Sequence, residues 1–336
     1  MIKRIGAYTI EFCDKPVIAG RGSVVGKKEG DGPLKKDFDK IVYDMHFGQD
    51  SWEKAESAFL KEALSIALEK SKLSADDIGF LFAGDLLNQC ISSSYGLKDY
   101  NIPYLGQYGA CSTMVQSLIM ASVMVESGAS QVSACVTSSH FCSAERQYRF
   151  PLDYGGQRPQ SAQWTVTGSG SCIVTKQSSK LLPKVSQATV GKIVDLGVKD
   201  QNNMGAAMAP AAADTIKNFF IDTKTSPKDY DAIYTGDLGI IGSKLLYELL
   251  EKDGFDVKDK HHDCGVMIFA DDMDVHCGGS GCGCCASVLC GHILNKMHNK
   301  ELRNILVVAT GALLSPTSIK QKQSIPCIAH LVNIVM

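Results

Sequence analysis

Hydrophobic and polar positions follow two rhythms along the chain, and they recur in the same order. From Ser51 to Lys72, Ala55, Ala58, Phe59, Ala63, Ile66 and Ala67 share one face, opposite Glu and Lys. That is the pattern of an amphipathic helix. Ser74-Ala-Asp-Asp77 marks a turn, and the apolar run Ile78-Gly-Phe-Leu-Phe-Ala83, ending in Gly84-Asp85-Leu86, predicts a buried strand. After Ile102-Pro-Tyr-Leu105, the stretch from Cys111 to Val125 carries no charge. It predicts a helix buried on all sides, with Gly128 as its stop. Gln131 to Thr137 reads as the next buried strand.

The second half repeats this order. Ala209 to Phe220 predicts a helix with Pro210 in its first turn, and Ser226-Pro-Lys-Asp-Tyr-Asp231 predicts a turn. Ala232-Ile-Tyr-Thr235 follows as a strand ending in Gly236-Asp237-Leu238. The Gly-rich entry Gly278-Gly-Ser-Gly-Cys-Gly-Cys-Cys285 leads into a helix from Ala286 to Met297, and Asn304 to Thr310 is a buried strand. Gly-Asp-Leu therefore recurs 152 residues apart (84 to 236). Four elements in one order predict an internal duplication. The halves, 1–183 and 184–336, divide near Leu182-Pro183 without a flexible linker. Buried helices alternating with buried strands call for an α/β fold, with helices between and outside two sheets.

Composition acts mainly by exclusion. A net charge of -2 over 336 residues, with no Lys/Arg cluster, gives no footprint for nucleic acid. No apolar run approaches the roughly 20 residues of a membrane span. The start, Met1-Ile-Lys-Arg-Ile-Gly6, lacks the apolar core of a signal peptide, so a cytoplasmic-side protein is expected. The 13 cysteines then read as reduced, many of them small packing residues like Cys135 in its apolar run. Cys277, Cys282, Cys284, Cys285 and Cys290, near His261, His262 and Cys264, lack the paired spacing of structural zinc sites, so no metal is expected. Gly20-x-Gly22-x-x-x-Gly26 is not the dinucleotide fingerprint, and Gly242-Ser-Lys244 is not a P-loop; no cofactor is expected.

Candidate chemistry centres on Cys111, in Tyr108-Gly-Ala-Cys-Ser-Thr113. There the positive end of the helix dipole would favour a thiolate, and Gly109 and Ala110 leave room for a substrate. A small packing residue suits the position equally well, and both readings stand at this point.

Gly109-Ala-Cys-Ser112 before a small-residue helix, in the first of two duplicated halves, resembles the thiolase superfamily, which includes the ketoacyl synthases. The resemblance implies a five-layered αβαβα fold and an acylated cysteine at 111. It also exposes departures. Where initiating ketoacyl synthases carry His-Gln-Ala-Asn, this chain has Gly236-Asp-Leu-Gly239, and Cys282 stands where the Asn of their Gly-Asn-Thr-Ser turn would be. Those groups supply acid–base and oxyanion chemistry, so a non-catalytic pocket is expected. A Cys111-dependent acyltransferase or thioesterase is the alternative.

Further stretches resemble the stage V sporulation AD family, thiolase-like proteins of spore-forming bacteria. They include Gly84-Asp-Leu-Leu-Asn-Gln89, Thr137-Ser-Ser-His140, Ala144-Glu-Arg-Gln147, Thr165-Val-Thr-Gly-Ser-Gly170, Met208-Ala-Pro-Ala-Ala-Ala-Asp-Thr-Ile216 and Ala309-Thr-Gly-Ala-Leu-Leu-Ser-Pro-Thr317. That resemblance implies binding of dipicolinic acid (pyridine-2,6-dicarboxylic acid) or its calcium chelate. It also implies work beside membrane subunits of a sporulation transport assembly, peripheral to the forespore or spore inner membrane. The thiolase likeness implies a homodimer. A flat aromatic dianion needs donors for two carboxylates and an apolar slot. The fold implied brings Asn88, Ser138, Ser139, His140, Asp237 and Cys282 toward Cys111, and Arg146 and Arg149, with Arg158 and Trp164 further on, offer carboxylate partners. An Arg-rich loop also fits a solvated face or dimer contact, and His140 also fits a buried, backbone-bonded histidine.

Overall fold

The computed structural model describes residues 1–149, 158–177 and 179–336. The first half contributes strands β1 (Val17–Gly26), β2 (Phe80–Gly84), β3 (Tyr104–Gly106), β4 (Val132–Ser139) and β5 (Gly168–Thr175), with helices α1 (Trp52–Ser71) and α2 (Thr113–Glu126). The second contributes β6 (Lys184–Thr189), β7 (Ala232–Gly236), β8 (His261–Asp263), β9 (Asn304–Ala312) and β10 (Cys327–Val335). Its helices are α3 (Met204–Thr223), α4 (Gly239–Lys252) and α5 (Cys282–Val288).

Strand order repeats along the chain. The first half runs β3-β2-β4-β5-β1 and the second β8-β7-β9-β10-β6. In each, the second strand pairs in parallel with the first and third, and the fourth pairs antiparallel with the third and fifth. Local chemistry repeats with it. Helices α1 and α3 both end on a lysine in the left-handed region, Lys72 (φ 59°) and Lys224 (φ 55°). Each is followed by a capping box, Ser74 with Asp77 and Ser226 with Asp229, that aims the chain into its strand. Lys184 pairs with Val17, joining the halves into one 13-stranded sheet among the described residues.

Five layers result. Helix α1 covers the outer face of the first sheet and α3, backed by α4, that of the second. Between the sheets lie α2 and α5, which touch strands of both. Every residue of α5 is buried, which explains its Gly, Ala and Cys content. The glycines at 20 and 22 serve packing: a Cβ there would stand 2.2 Å from the Ala67 carbonyl oxygen and 2.1 Å from that of Ala63, so they let α1 lie close on β1.

Three boundaries differ from the sequence expectation. Helix α3 starts at Met204, where the Asn203 side chain accepts the Ala206 N–H, so Pro210 is interior. Lacking an N–H, Pro210 leaves the Ala206 carbonyl without its usual donor. The second central helix begins at Cys282 and passes through a π-turn, Leu289–Ile293, before Leu294–His298. At that turn His292 Nδ1 meets Asp37 Oδ2 at 2.6 Å. Cys111 precedes α2 and its N-cap Ser112, outside the first turn. All 13 cysteines are unpaired thiols.

Candidate functional site

Cys111 is placed by a tight turn. Ala110 takes a left-handed conformation (φ 50°), and Ser112 Oγ donates to the Gly109 carbonyl at 2.6 Å. Thr113 Oγ1 donates to the Ala110 carbonyl at 2.5 Å and accepts the Gly109 N–H at 3.0 Å. The second half meets this turn with two loops. Asp237 follows β7 with φ 69°, and its Oδ2 accepts the Gly281 N–H at 2.9 Å. Cys282 donates its thiol to the Ala110 carbonyl at 2.9 Å, and its own carbonyl accepts Thr137 Oγ1 at 3.1 Å. The structure thus gathers Cys111, Asp237 and Cys282.

Asp263, at the end of β8, holds the Asp237 loop. Its carboxylate accepts the Leu238 N–H at 2.9 Å, the Gly239 N–H at 3.0 Å and Thr235 Oγ1 at 2.7 Å.

Of the two readings left open for the sulfur, electrostatics favour the neutral thiol. Burial pushes the Cys111 thiol well above its ordinary value, and the Asp237 carboxylate pushes it the same way. Backbone N–H groups of Gly281 and Cys111 pull it down without outweighing them. Burial likewise drives Asp237 well above the usual carboxylate range, with Asp263 adding to it and the Cys284 and Cys111 thiols opposing. Its Oδ1 is buried and makes no hydrogen bond of regular geometry. Both groups are thus pushed toward their neutral forms, which disfavours the thiolate.

The slot at Cys111 has a volume of about 60 Å³. Leu86, Ala110, Ala144, Tyr148, Met204 and Ala312 make it largely apolar, and Glu145, Gln201 and Ser280 are among its polar residues. Of the other residues singled out in sequence, Ser139 supports the site, its Oγ accepting the Gly283 N–H at 2.9 Å and donating to the Val166 carbonyl at 2.7 Å. Ser138 and His140 lie on the opposite side of β4. Ser138 Oγ donates to Glu56 Oε1 at 3.1 Å, and His140 Nε2 bonds the Met45 carbonyl at 2.9 Å while its ring packs against Trp52. Burial lowers the His140 pKa, holding it neutral.

Asn88 and Arg146 line a separate cleft of about 730 Å³, where Arg146 pairs with Glu53. Arg158 lies over the Trp164 ring at 5.0 Å, in a third cavity. The Arg149 side chain is outside the described residues. Sequence reasoning missed Tyr148, Gln201, Met204 and Asp263. Only Asp263 carried a signal, as a buried-strand carboxylate of the kind that caps a neighbouring loop.

Among the described residues no helix is long and apolar enough to cross a membrane, and no group of three or more His, Cys, Asp or Glu is placed to hold a metal ion. In overall fold the chain is similar to 3-oxoacyl-[acyl-carrier-protein] synthase III from Aquifex aeolicus VF5 (TM-score 0.59, 13% identity, 96% of this chain and 100% of that one). It is similar also to a variant of OleA from Xanthomonas campestris (TM-score 0.61, 12% identity, 96% and 98%). These likenesses establish the thiolase-like fold alone. At the level of sequence, it is 46% identical over 329 residues to Stage V sporulation protein AD of Bacillus subtilis (strain 168), covering 98% of this chain and 97% of the relative. With residues 6–335 matching the family described as Stage V sporulation protein AD, the chain belongs to that sporulation family.

Proposed function

We propose that this protein binds dipicolinic acid, or its calcium chelate, without transforming it. In this reading it is a peripheral subunit of a sporulation assembly, working beside membrane subunits that load the compound into the forespore. The observation that carries the non-catalytic part is the Asp237 carboxyl set against the Cys111 thiol, both buried and both held toward their neutral forms. Among the described residues no histidine lines the slot to serve the thiol as a base. The lining of the slot is largely apolar. Family membership supports the sporulation role.

The protein works as a homodimer through the outer edge of β3. Its three residues Tyr104–Gly106 are exposed and form the end of the sheet, so a second copy can extend the pairing there. Light scattering on the full chain tests this.

Calorimetric titration with dipicolinate and with its calcium complex decides the ligand. Saturable binding of either is expected, and binding of neither overturns the reading. Incubation with acyl-thioesters followed by intact mass is expected to leave the protein unmodified. An adduct on Cys111 that turns over would favour an acyltransferase or thioesterase instead.

A further inference from the structure

Beneath the cleft at Asn88 lie two buried carboxyls, Glu56 of α1 and Asp85 just after β2, with 1% and 0% of their surfaces exposed. Among the described residues neither has a cation for a partner. Asp85 Oδ1 accepts the Leu87 N–H at 2.9 Å, and its Oδ2 accepts the N–H and hydroxyl of Ser93 at 2.8 and 2.6 Å. Glu56 meets hydroxyls only, with Ser138 Oγ 3.1 Å from Oε1 and Ser143 Oγ 2.7 Å from Oε2. Two backbone N–H groups favour the charged form, so the negative charge belongs on Asp85.

Ser143 shows where a proton belongs. Its Oγ also stands 3.0 Å from the His140 carbonyl oxygen, so an ionised Glu56 would leave one hydroxyl proton facing two acceptors. With Oε2 protonated, Glu56 donates to Ser143 Oγ, and Ser143 donates on to His140. Both contacts are then hydrogen bonds. Burial and the Asp85 charge push the Glu56 acid up, in the same direction.

Losing that proton sets two like charges together in a site without a cation. The way out is the segment from Leu86 to Leu97, which Asp85 anchors. Within it Gln89 (φ 55°) and Cys90 (φ 50°) are left-handed, a conformation costly to side chains. Leu87, Asn88 and Ile91 line the cleft with Ser57 and Ser143, so movement of the segment admits water to the pair. Leu86 belongs to the wall of the Cys111 slot, and its carbonyl accepts the Tyr148 hydroxyl at 2.5 Å and Gln147 Nε2 at 3.1 Å.

The other groups around the pair are constant across neutral pH. Burial pushes the Cys90, Cys282 and Tyr104 acids up and keeps His140 neutral. From β1 and β5, Val24 and Ile173 pack against α1. At the cleft, Arg146 is paired with Glu53 and Lys54 with Asp50.

We infer that a proton on Glu56 latches segment 86–97 over the carboxyl pair, and that its loss makes the segment, with the Leu86 wall of the Cys111 slot, open more readily. The latch rests on the pair and its partners, and it holds whatever compound the slot takes.

Hydrogen–deuterium exchange of the full chain without ligand tests it, following peptides of 86–97 from pH 5.5 to pH 8. Rates are corrected for the intrinsic pH dependence of amide exchange. E56Q is the comparison, because its amide can donate to Ser143 and accept from Ser138 but cannot ionise. Opening of wild-type 86–97 is expected to rise about tenfold or more over this range, since the open segment releases a proton that the closed one keeps. E56Q is expected to stay flat. Constant protection in wild type would overturn the latch, as would an equal loss in E56Q. Should E56Q fail to fold, D85N takes its place: removing the neighbouring charge is expected to shrink the pH-dependent change, and an undiminished change would overturn the latch. None of these outcomes touches the dipicolinate reading, which is decided by titration.

Discussion

Glu29 sits in the short helix Lys27–Gly30 with 1% of its surface exposed, and replacing it with glutamine isolates what a buried carboxyl does to stability. Its Oε1 accepts the Thr167 N–H at 2.9 Å, while Oε2 is buried without a hydrogen-bond partner. Burial pushes the acid up to about 7 from an ordinary 4.5, against the lowering pull of the Thr167 N–H. At about 1.4 kcal/mol per pH unit, that gap is worth about 3 kcal/mol. The sign follows from proton counts. Between 4.5 and 7 the folded chain holds a proton that the unfolded chain has released. The contribution is therefore complete below the unfolded value and lost as pH rises through 7.

About 2.5 kcal/mol of it disappears between pH 5 and pH 8. E29Q keeps the acceptor for Thr167 but cannot titrate. Urea unfolding of both proteins at several pH values across that range provides the comparison, and subtraction removes the groups they share, including Glu56, His261 and His330. Wild type is expected to lose about 2.5 kcal/mol more than E29Q from pH 5 to pH 8. Curves parallel to within about 0.5 kcal/mol would refute the assignment of a buried, proton-holding carboxyl at this position.

Other consequences are equally direct. Brief iodoacetamide treatment of the native protein at pH 8 is expected to label exposed Cys13 and spare buried Cys111 by peptide mass mapping; labelling of Cys111 ahead of Cys13 would contradict the neutral-thiol assignment. Gly311→Ala puts a Cβ 2.1 Å from the Gly109 carbonyl oxygen and 3.1 Å from the Ser112 nitrogen, so it must displace the Cys111 turn. A loss of about 1–3 kcal/mol is expected in thermal unfolding, with weakened ligand binding. Asp77→Ala and Asp229→Ala remove equivalent capping boxes from the two halves. Each should cost about 1 kcal/mol in urea, and a large inequality would show that the halves no longer use the turn alike.

Much of this architecture is legible in the sequence because periodicity marks it. Helix α1, expected from Ser51 to Lys72, runs Trp52–Ser71, since its charged face and the Ser74 turn bound it on both sides. The second central helix is different. Around residues 278–285 nothing is polar enough to set a phase, so its start at Cys282 has no marker. At the site, Cys111, Asp237 and Cys282 were legible as strand ends and helix starts. The Ser138-Ser139-His140 run was not separable by eye, because successive residues of a strand face opposite sides. Ser139 faces α5, whereas Ser138 and His140 face α1 through Glu56 and Trp52. Gln201, Met204 and Leu314 reach the slot through tertiary placement that no local pattern records.

Strand β6 also has a bearing on how the polypeptide is made. It pairs with the early strand Thr9–Phe12, with Val17 of β1 and with β10 near the far end of the chain. Asp222, on α3, accepts the backbone N–H groups of Ala7, Tyr8 and Thr9 at 2.9, 2.7 and 2.8 Å. Residues 7–9 thus wait for a partner made some two hundred residues later, and β6 waits for β10. Until then α2, whose apolar surface faces both sheets, has only one of them to cover it. Contacts this remote in sequence close slowly, and a half-made chain is sticky in the meantime. The nascent protein is therefore expected to depend on chaperone shielding until β10 emerges, and interrupted synthesis should yield fragments destined for aggregation or degradation.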